Sequence, residues 1–124
     1  MDILELLLSK EITKLPEKVI KHKRLTMECG QDVTFKLRAL PYEKSSEIMK
    51  LHQEDAEVYI VLDGVIEPNL RNDELMKKYG VITPAELIKK LFLHGEIVDI
   101  SREIERLSGF RINTIETINE IKKN

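Results

Sequence analysis

Chemistry at a protein site needs side chains that ionise, coordinate or attack, and in this sequence they are sparse. His22, His52 and His94 are the only histidines, each apart from Cys29 and none with a histidine partner at i, i+4. Metal-ligand spacing is therefore missing. His94, followed by Gly95, falls where a helix is expected to end, and a positive group there complements the helix macrodipole. Cys29 is the single cysteine, so no internal disulfide can form, which fits a reducing cytoplasm. Its neighbours Glu28 and Asp32 disfavour a thiolate, and the residue reads as a free, buried, structural thiol. Gly64, Gly80, Gly95 and Gly109 are scattered and build no phosphate-cradling loop. The carboxylate pairs Glu54/Asp55 and Glu103/Glu105 lie on polar faces or in loops, where solvation accounts for them. No catalytic, cofactor-binding or metal-ligating residue is predicted, no cofactor is expected, and an enzyme is not expected.

The elements that would have to position any site belong to one small, aliphatic chain. The 124 residues, 42% hydrophobic and 34% charged but only 5% aromatic, predict a single domain spanning 1–124. Leu and Ile together make up 31 residues and Trp is absent, a composition that favours helical packing. At this size roughly two thirds of the unfolded surface can be buried, so no disulfide or metal staple is needed. A net charge of −2 lacks the positive excess of most nucleic-acid binders. The apolar run from Ile3 to Leu8 is far short of the roughly 20 residues that span a bilayer, and Asp2 and Glu5 stand where a secretory leader would be basic. Neither a membrane span nor a signal peptide is expected.

Segments 1–16, 17–40, 41–113 and 114–124 read differently. Asp2 as N-cap, with Ile3/Leu7 and Leu4/Leu8 at i, i+4, predicts a short amphipathic helix closed by Pro16. A helix so short must dock, on the domain itself or on a second copy in a homo-oligomer. Residues 17–39 predict an antiparallel β-hairpin: Glu17–Met27 as a lysine-protected edge strand, Glu28–Asp32 as the turn, and Val33, Phe35, Leu37 and Ala39 alternating at period two.

Beyond Pro41 the pattern becomes helical, with Ile48, Met49, Leu51 and His52 on one face. Residues 57–67 are ambiguous, since Val58–Leu62 has high β propensity and Asp63-Gly64 signals a hairpin, while Ala56, Tyr59/Ile60 and Asp63/Gly64 also fit a buried helix. Asn72 or Asp73 caps a helix through Tyr79 that Gly80 ends. Thr83-Pro84-Ala85-Glu86 combines N-cap, Pro at N1 and Glu at N3, starting a helix with Leu87, Ile88, Leu91 and Phe92 as its stripe and His94-Gly95 as its stop. Ile97, Ile100, Ile104 and Leu107 predict a helix over 96–108, and Ile115, Ile118 and Ile121 predict a final helix or tail. The fold class is α+β, an N-terminal hairpin followed by a mostly α-helical bundle.

The helix pair 84–93 and 96–108 has the outline of a helix-turn-helix, and a small DNA-binding regulator is the reading it would support. Glu96, Asp99, Glu103 and Glu105, however, outnumber Arg102 and Arg106 on the second helix and would repel phosphates. Nucleic acid is not an expected partner. The aliphatic turn Ile3–Leu8 and the stripe Ile115/Ile118/Ile121 are the features that suit protein contact, because amphipathic segments at chain ends can cover another protein's apolar surface or else dock on their own core.

The order of segments resembles a known family. Val65-Ile66-Glu67-Pro68-Asn69-Leu70, then Glu74-Leu75 through Tyr79-Gly80-Val81, Thr83-Pro84-Ala85-Glu86-Leu87, Gly95-Glu96-Ile97 and Leu107-Ser108-Gly109-Phe110 are similar to the tail assembly chaperones of contractile-tailed phages and PBSX-like prophages of Gram-positive bacteria. The likeness covers most of the chain, the hairpin included, and implies a helical 58–66. It further implies a non-enzymatic protein of the host cytoplasm, absent from the finished virion, that binds the tape measure protein, keeps it soluble and helps recruit tail tube subunits. A structural component retained in the tail is the alternative within the same biology. The family often makes a longer frameshifted product, through which tail tube protein would be a second partner; an end at Ile118–Asn124 would suit that arrangement. Chaperoning a long helical protein calls for aliphatic grooves, and Leu87, Leu91, Ile97, Ile104, Leu107, Ile115 and Ile118 are the expected partner-binding residues.

Overall fold

A computed structural model describes residues 2–119. The chain begins with helix α1 (Ile3–Ser9), capped by Asp2 as the sequence predicts and closed further into a capping box: Glu5 N–H donates to Asp2 Oδ1 at 2.8 Å and Asp2 N–H to Glu5 Oε1 at 2.9 Å. Strand β1 (Glu17–Lys21) follows, then helix α2 (Lys23–Cys29) and strand β2 (Thr34–Arg38). The two strands pair antiparallel with Ile20 opposite Phe35 and Glu17 opposite Arg38, so the arms of the expected hairpin are present.

The link between them corrects the sequence reading, because Lys23–Cys29 is helical and the chain does not turn at Glu28–Asp32 alone. Two local devices make that helix. The His22 imidazole accepts the Leu25 N–H at 3.1 Å as an N-cap. Gly30, at φ 74°, supplies the left-handed residue that ends it, its N–H donating to Thr26 O. Lys18 and Lys21 lie on β1, an edge strand of the sheet, as read, while Lys23 belongs to the solvated first turn of α2.

Helix α3 (Tyr42–Leu51) starts behind Pro41, and helix α4 (Ala56–Gly64) runs directly into strand β3 (Val65–Glu67). Both readings of the ambiguous segment therefore hold in part: 56–64 is helix, and Val65 continues as a third strand opposite Leu37, giving the antiparallel order β1-β2-β3. Helix α5 (Asp73–Lys78) is capped by Asn72, which accepts the Leu75 N–H at 2.9 Å. Helix α6 (Pro84–Leu91) opens with the predicted Thr83/Glu86 capping box.

Helix α7 (His94–Leu107) begins earlier than expected. Helix α6 ends at Leu91 with Phe92 as its C-cap, and His94 and Gly95 are the first residues of α7. Glu96 is responsible: its carboxylate accepts the Leu93 N–H at 2.8 Å and fixes the entry to the helix. His94 thus sits at a helix start, and the C-terminal dipole role does not apply to it.

The core lies between the inner sheet face and the helices. Phe35 and Leu37 of β2, Ile48 of α3, Val61 of α4, Ile88 of α6 and Ile104 of α7 are fully or almost fully buried. Buried Ile97, Ile100 and Ile104 recur at three and four residues, the stripe read from the sequence, and α7 packs chiefly against α4. The final helix does not form over its described part: residues 113–119 carry no regular structure, while Ile121 lies outside the described residues. Thr114, Ile115, Thr117 and Ile118 are all β-branched, and Ile115 and Ile118 stay exposed, so neither propensity nor packing favours a helix there.

Candidate functional site

The densest gathering of polar side chains is where α2 meets α7. His22 is buried, its ring edge-on to Phe35 at 6.0 Å and tilted against Phe92 at 5.5 Å. Because Nδ1 accepts the Leu25 N–H, the neutral ring carries its proton on Nε2. Nε2 lies 3.1 Å from Glu96 Oε1, but the two are not aligned for a hydrogen bond. Arg24 grips the same carboxylate with both forks, Nε and Nη2 each at 2.9 Å, and Nη2 also donates to Leu91 O at 3.1 Å. Those Arg24 hydrogen bonds, aided by the Leu93 N–H, outweigh burial and hold the Glu96 pKa at about 2; the same pairing raises Arg24.

This constellation ties three helices together. Glu96 spends its oxygens on Arg24 and Leu93, and His22 spends Nδ1 on a helix cap, which leaves no free base beside a nucleophile. Among the described residues no cluster of three His, Cys, Asp or Glu is placed to hold a metal ion. Cys29 is exposed, which corrects the expectation of a buried thiol: it ends α2 on the solvent side, where the apolar face is represented by Leu25. His52, the C-cap of α3, stacks on Tyr59 of α4 at 3.7 Å.

Beside the cluster, β1 and α2 face α7 across a shallow groove of about 670 Å³. Lys18 reaches over to Glu103 at 2.6 Å, and that hydrogen bond is the main reason the Glu103 pKa lies below its ordinary value. Arg106 holds the other oxygen of Glu103 at 3.0 Å. The helix-turn-helix outline of α6 and α7 presents Asp99 and Glu103 in this groove, and both would repel a phosphate.

Aliphatic side chains are exposed elsewhere. Every residue of α1 is exposed, with Ile3, Leu4, Leu6, Leu7 and Leu8 at 48% to 76% of their full accessibility. Ile115 and Ile118 are 83% and 79% exposed, and Phe110 and Ile112 continue the same stretch. The remaining predicted partner-binding residues divide. Leu87, Ile97 and Ile104 are core, at 0%, 4% and 0%, and present no surface to a partner in this fold; their helical spacing recorded burial. Leu91 and Leu107 are partly buried at the edge of the core. Sequence reasoning did not single out Arg24 and Glu96, which are 72 positions apart and meet only in the folded chain. Met27 and Phe110 are also exposed, with no periodic signal to mark them, and so are Met49 and Leu51, a correction to the helical face expected there, of which α3 buries only Ile48.

An α+β chain whose described residues offer aliphatic and charged surfaces, with its one buried histidine used as a cap, has the makings of a protein that works by contact. The chain belongs to the phage XkdN-like tail assembly chaperone family, whose sequence model matches residues 3–122. No curated protein matches the sequence. Among solved structures it is similar to the crystal structure of the protein yqbn, with a TM-score of 0.69 over 89% of this chain and 98% of that one. At 19% identity that likeness concerns the fold. No helix among the described residues is long and apolar enough to cross a membrane.

Proposed function

We propose that this chaperone binds the tape measure protein of its tail in the bacterial cytoplasm, keeps it soluble by non-covalent contact, and helps recruit tail tube subunits before leaving the finished particle. The observation that carries the reading is α1: a capped helix with five large aliphatic side chains exposed. Seven residues are too few for a helix to persist in water on its own cap energy, so a partner that covers it contributes to its stability. Ile115 and Ile118 at the other end of the described chain, with Leu91 and Leu107 at the core's edge, extend the aliphatic surface available to a helical client. Aliphatic contacts without Trp or Tyr anchors suit binding that must later be reversed. Catalysis has no part in this role. Co-expression with the tape measure protein encoded beside it tests the reading: the client should become soluble and co-purify, and a client that stays insoluble and elutes alone would refute it.

A further inference from the structure

The groove between β1–α2 and α7 concentrates charge in a way that the rest of the chain does not. Of 20 Lys and Arg against 22 Asp and Glu in the whole sequence, the groove takes six against three, a local excess of cations in a chain of net charge −2. Lys18, Lys21, Lys23 and Arg24 form one wall. The other is a single stripe of α7, Asp99, Arg102, Glu103 and Arg106, at positions i, i+3, i+4 and i+7. Half-buried Ile20 also lines the groove.

Not all of this charge is used internally. Glu96 is held by Arg24, and Glu103 by Lys18 and Arg106. Lys21 has only Asp32, at 3.7 Å and with both side chains largely exposed. Lys23 and Arg102 are exposed and, among the described residues, have no carboxylate within 4.0 Å. They sit on opposite walls. We propose that this groove is a docking site for an acidic segment of a partner protein, whose carboxylates pair with Lys23 and Arg102 while an aliphatic side chain rests over the half-buried Ile20.

A protein segment fits better than a nucleic acid. Asp99, with no cation within 4.0 Å among the described residues, and the carboxylates of Glu96 and Glu103 would face a phosphate backbone. The groove also lacks an exposed aromatic ring for bases to stack on, since its one ring, His22, is buried. A mixed set of charges with a cationic excess instead selects a peptide in register, by pairing at some positions and repulsion at others. The inference stands on the groove alone and does not require the partner to be the tape measure protein.

Fluorescence anisotropy with the full chain tests it, using as probes a labelled helical peptide of Glu, Leu and Ala several turns long, the same peptide with Lys for Glu, and a labelled single-stranded oligonucleotide. The acidic peptide should bind, more weakly as salt rises, and the basic peptide should not. Lys23→Glu combined with Arg102→Glu breaks no internal ion pair and should weaken binding about tenfold or more. Lys77→Glu with Lys78→Glu, exposed on α5, should leave it within about twofold. Equal binding of the two peptides, an unaffected groove variant, absence of binding at low salt up to about millimolar protein, or tighter binding of the oligonucleotide would each overturn the proposal. Sedimentation covers the remaining occupant: salt-sensitive self-association abolished by the groove variant would assign the site to a second copy instead. If the groove variant still solubilises the tape measure protein, this proposal and the chaperone reading separate.

Discussion

Gly64, the last residue of α4, sits where that helix passes α7, and replacing it with alanine is a direct test of how closely the two pack. A Cβ built there would meet Cδ1, Cγ2 and Cγ1 of Ile104 at 2.5, 2.7 and 2.9 Å. All three lie on one side chain that is completely buried, so Ile104 has little room to yield. Overpacking of this kind costs about 1–3 kcal/mol. Alanine regains roughly 0.5–1 kcal/mol of helix preference over glycine, at the low end for a terminal position. The net expectation is a loss of about 0.5–2.5 kcal/mol. In a domain of this size that lowers the melting temperature by roughly 3–6 °C per kcal/mol. Ile104→Ala alone should cost about 2–5 kcal/mol by opening a cavity. In the double variant the new methyl occupies part of the space vacated, so the two losses should sum to more than the observed one by roughly 1 kcal/mol or more. Urea denaturation followed by circular dichroism measures all three. A Gly64→Ala protein as stable as the parent, or strictly additive losses, would show that the helices do not approach as described.

Other consequences are read as simply. Glu96 has its pKa depressed to about 2 from 4.5, so its contribution to stability is complete above pH 4.5 and is lost as pH falls towards 2. Glu96→Gln should flatten the pH dependence of stability over that window while costing ~1–2 kcal/mol at pH 7; an unchanged acid limb in the variant would deny the Arg24–Glu96 lock its role. Cys29, exposed in the fold, should react with a maleimide under native conditions as fast as in denaturant to within about tenfold, and native protection would place it elsewhere. Leu4→Ser, Leu7→Ser and Leu8→Ser together touch only exposed positions and should leave the melting temperature within about 1 °C, yet reduce binding of an apolar dye. A large drop in stability would mean that α1 is docked in the free protein.

What the sequence disclosed followed from how local each signal was. The Asp2 N-cap, the Thr83/Glu86 capping box and the Ile97/Ile100/Ile104 stripe depend on neighbours within a turn or two, and each formed as read. Gly64 was open to being the turn of a hairpin because a missing side chain looks the same whether it serves a left-handed backbone or a close crossing, and only the position of Ile104 distinguishes them. The helix at 23–29 was missed because its N-cap is His22, whose imidazole is an uncommon acceptor at that position, and because lysines suit an edge strand and a solvated turn equally. His94-Gly95 was taken for a stop because Glu96, which starts the next helix, acts backward on Leu93. For the site, periodicity identified apolar side chains correctly but could not say which were covered. Leu87, Ile97 and Ile104 became core, while Ile3–Leu8 and Ile115/Ile118, spaced just as regularly, became surface. The groove was legible only through the lysines of the edge strand read over Glu17–Met27, since its second wall lies on α7, more than 70 residues away in the chain.

The most direct test of the central claim is the soluble yield of the tape measure protein when it is produced with this chaperone, with the α1 triple-serine variant, and alone. The account predicts a soluble complex with the parent chain and a marked loss of soluble client with the variant, although the variant itself folds. Equal soluble yield in all three cases, with no co-elution, would contradict it.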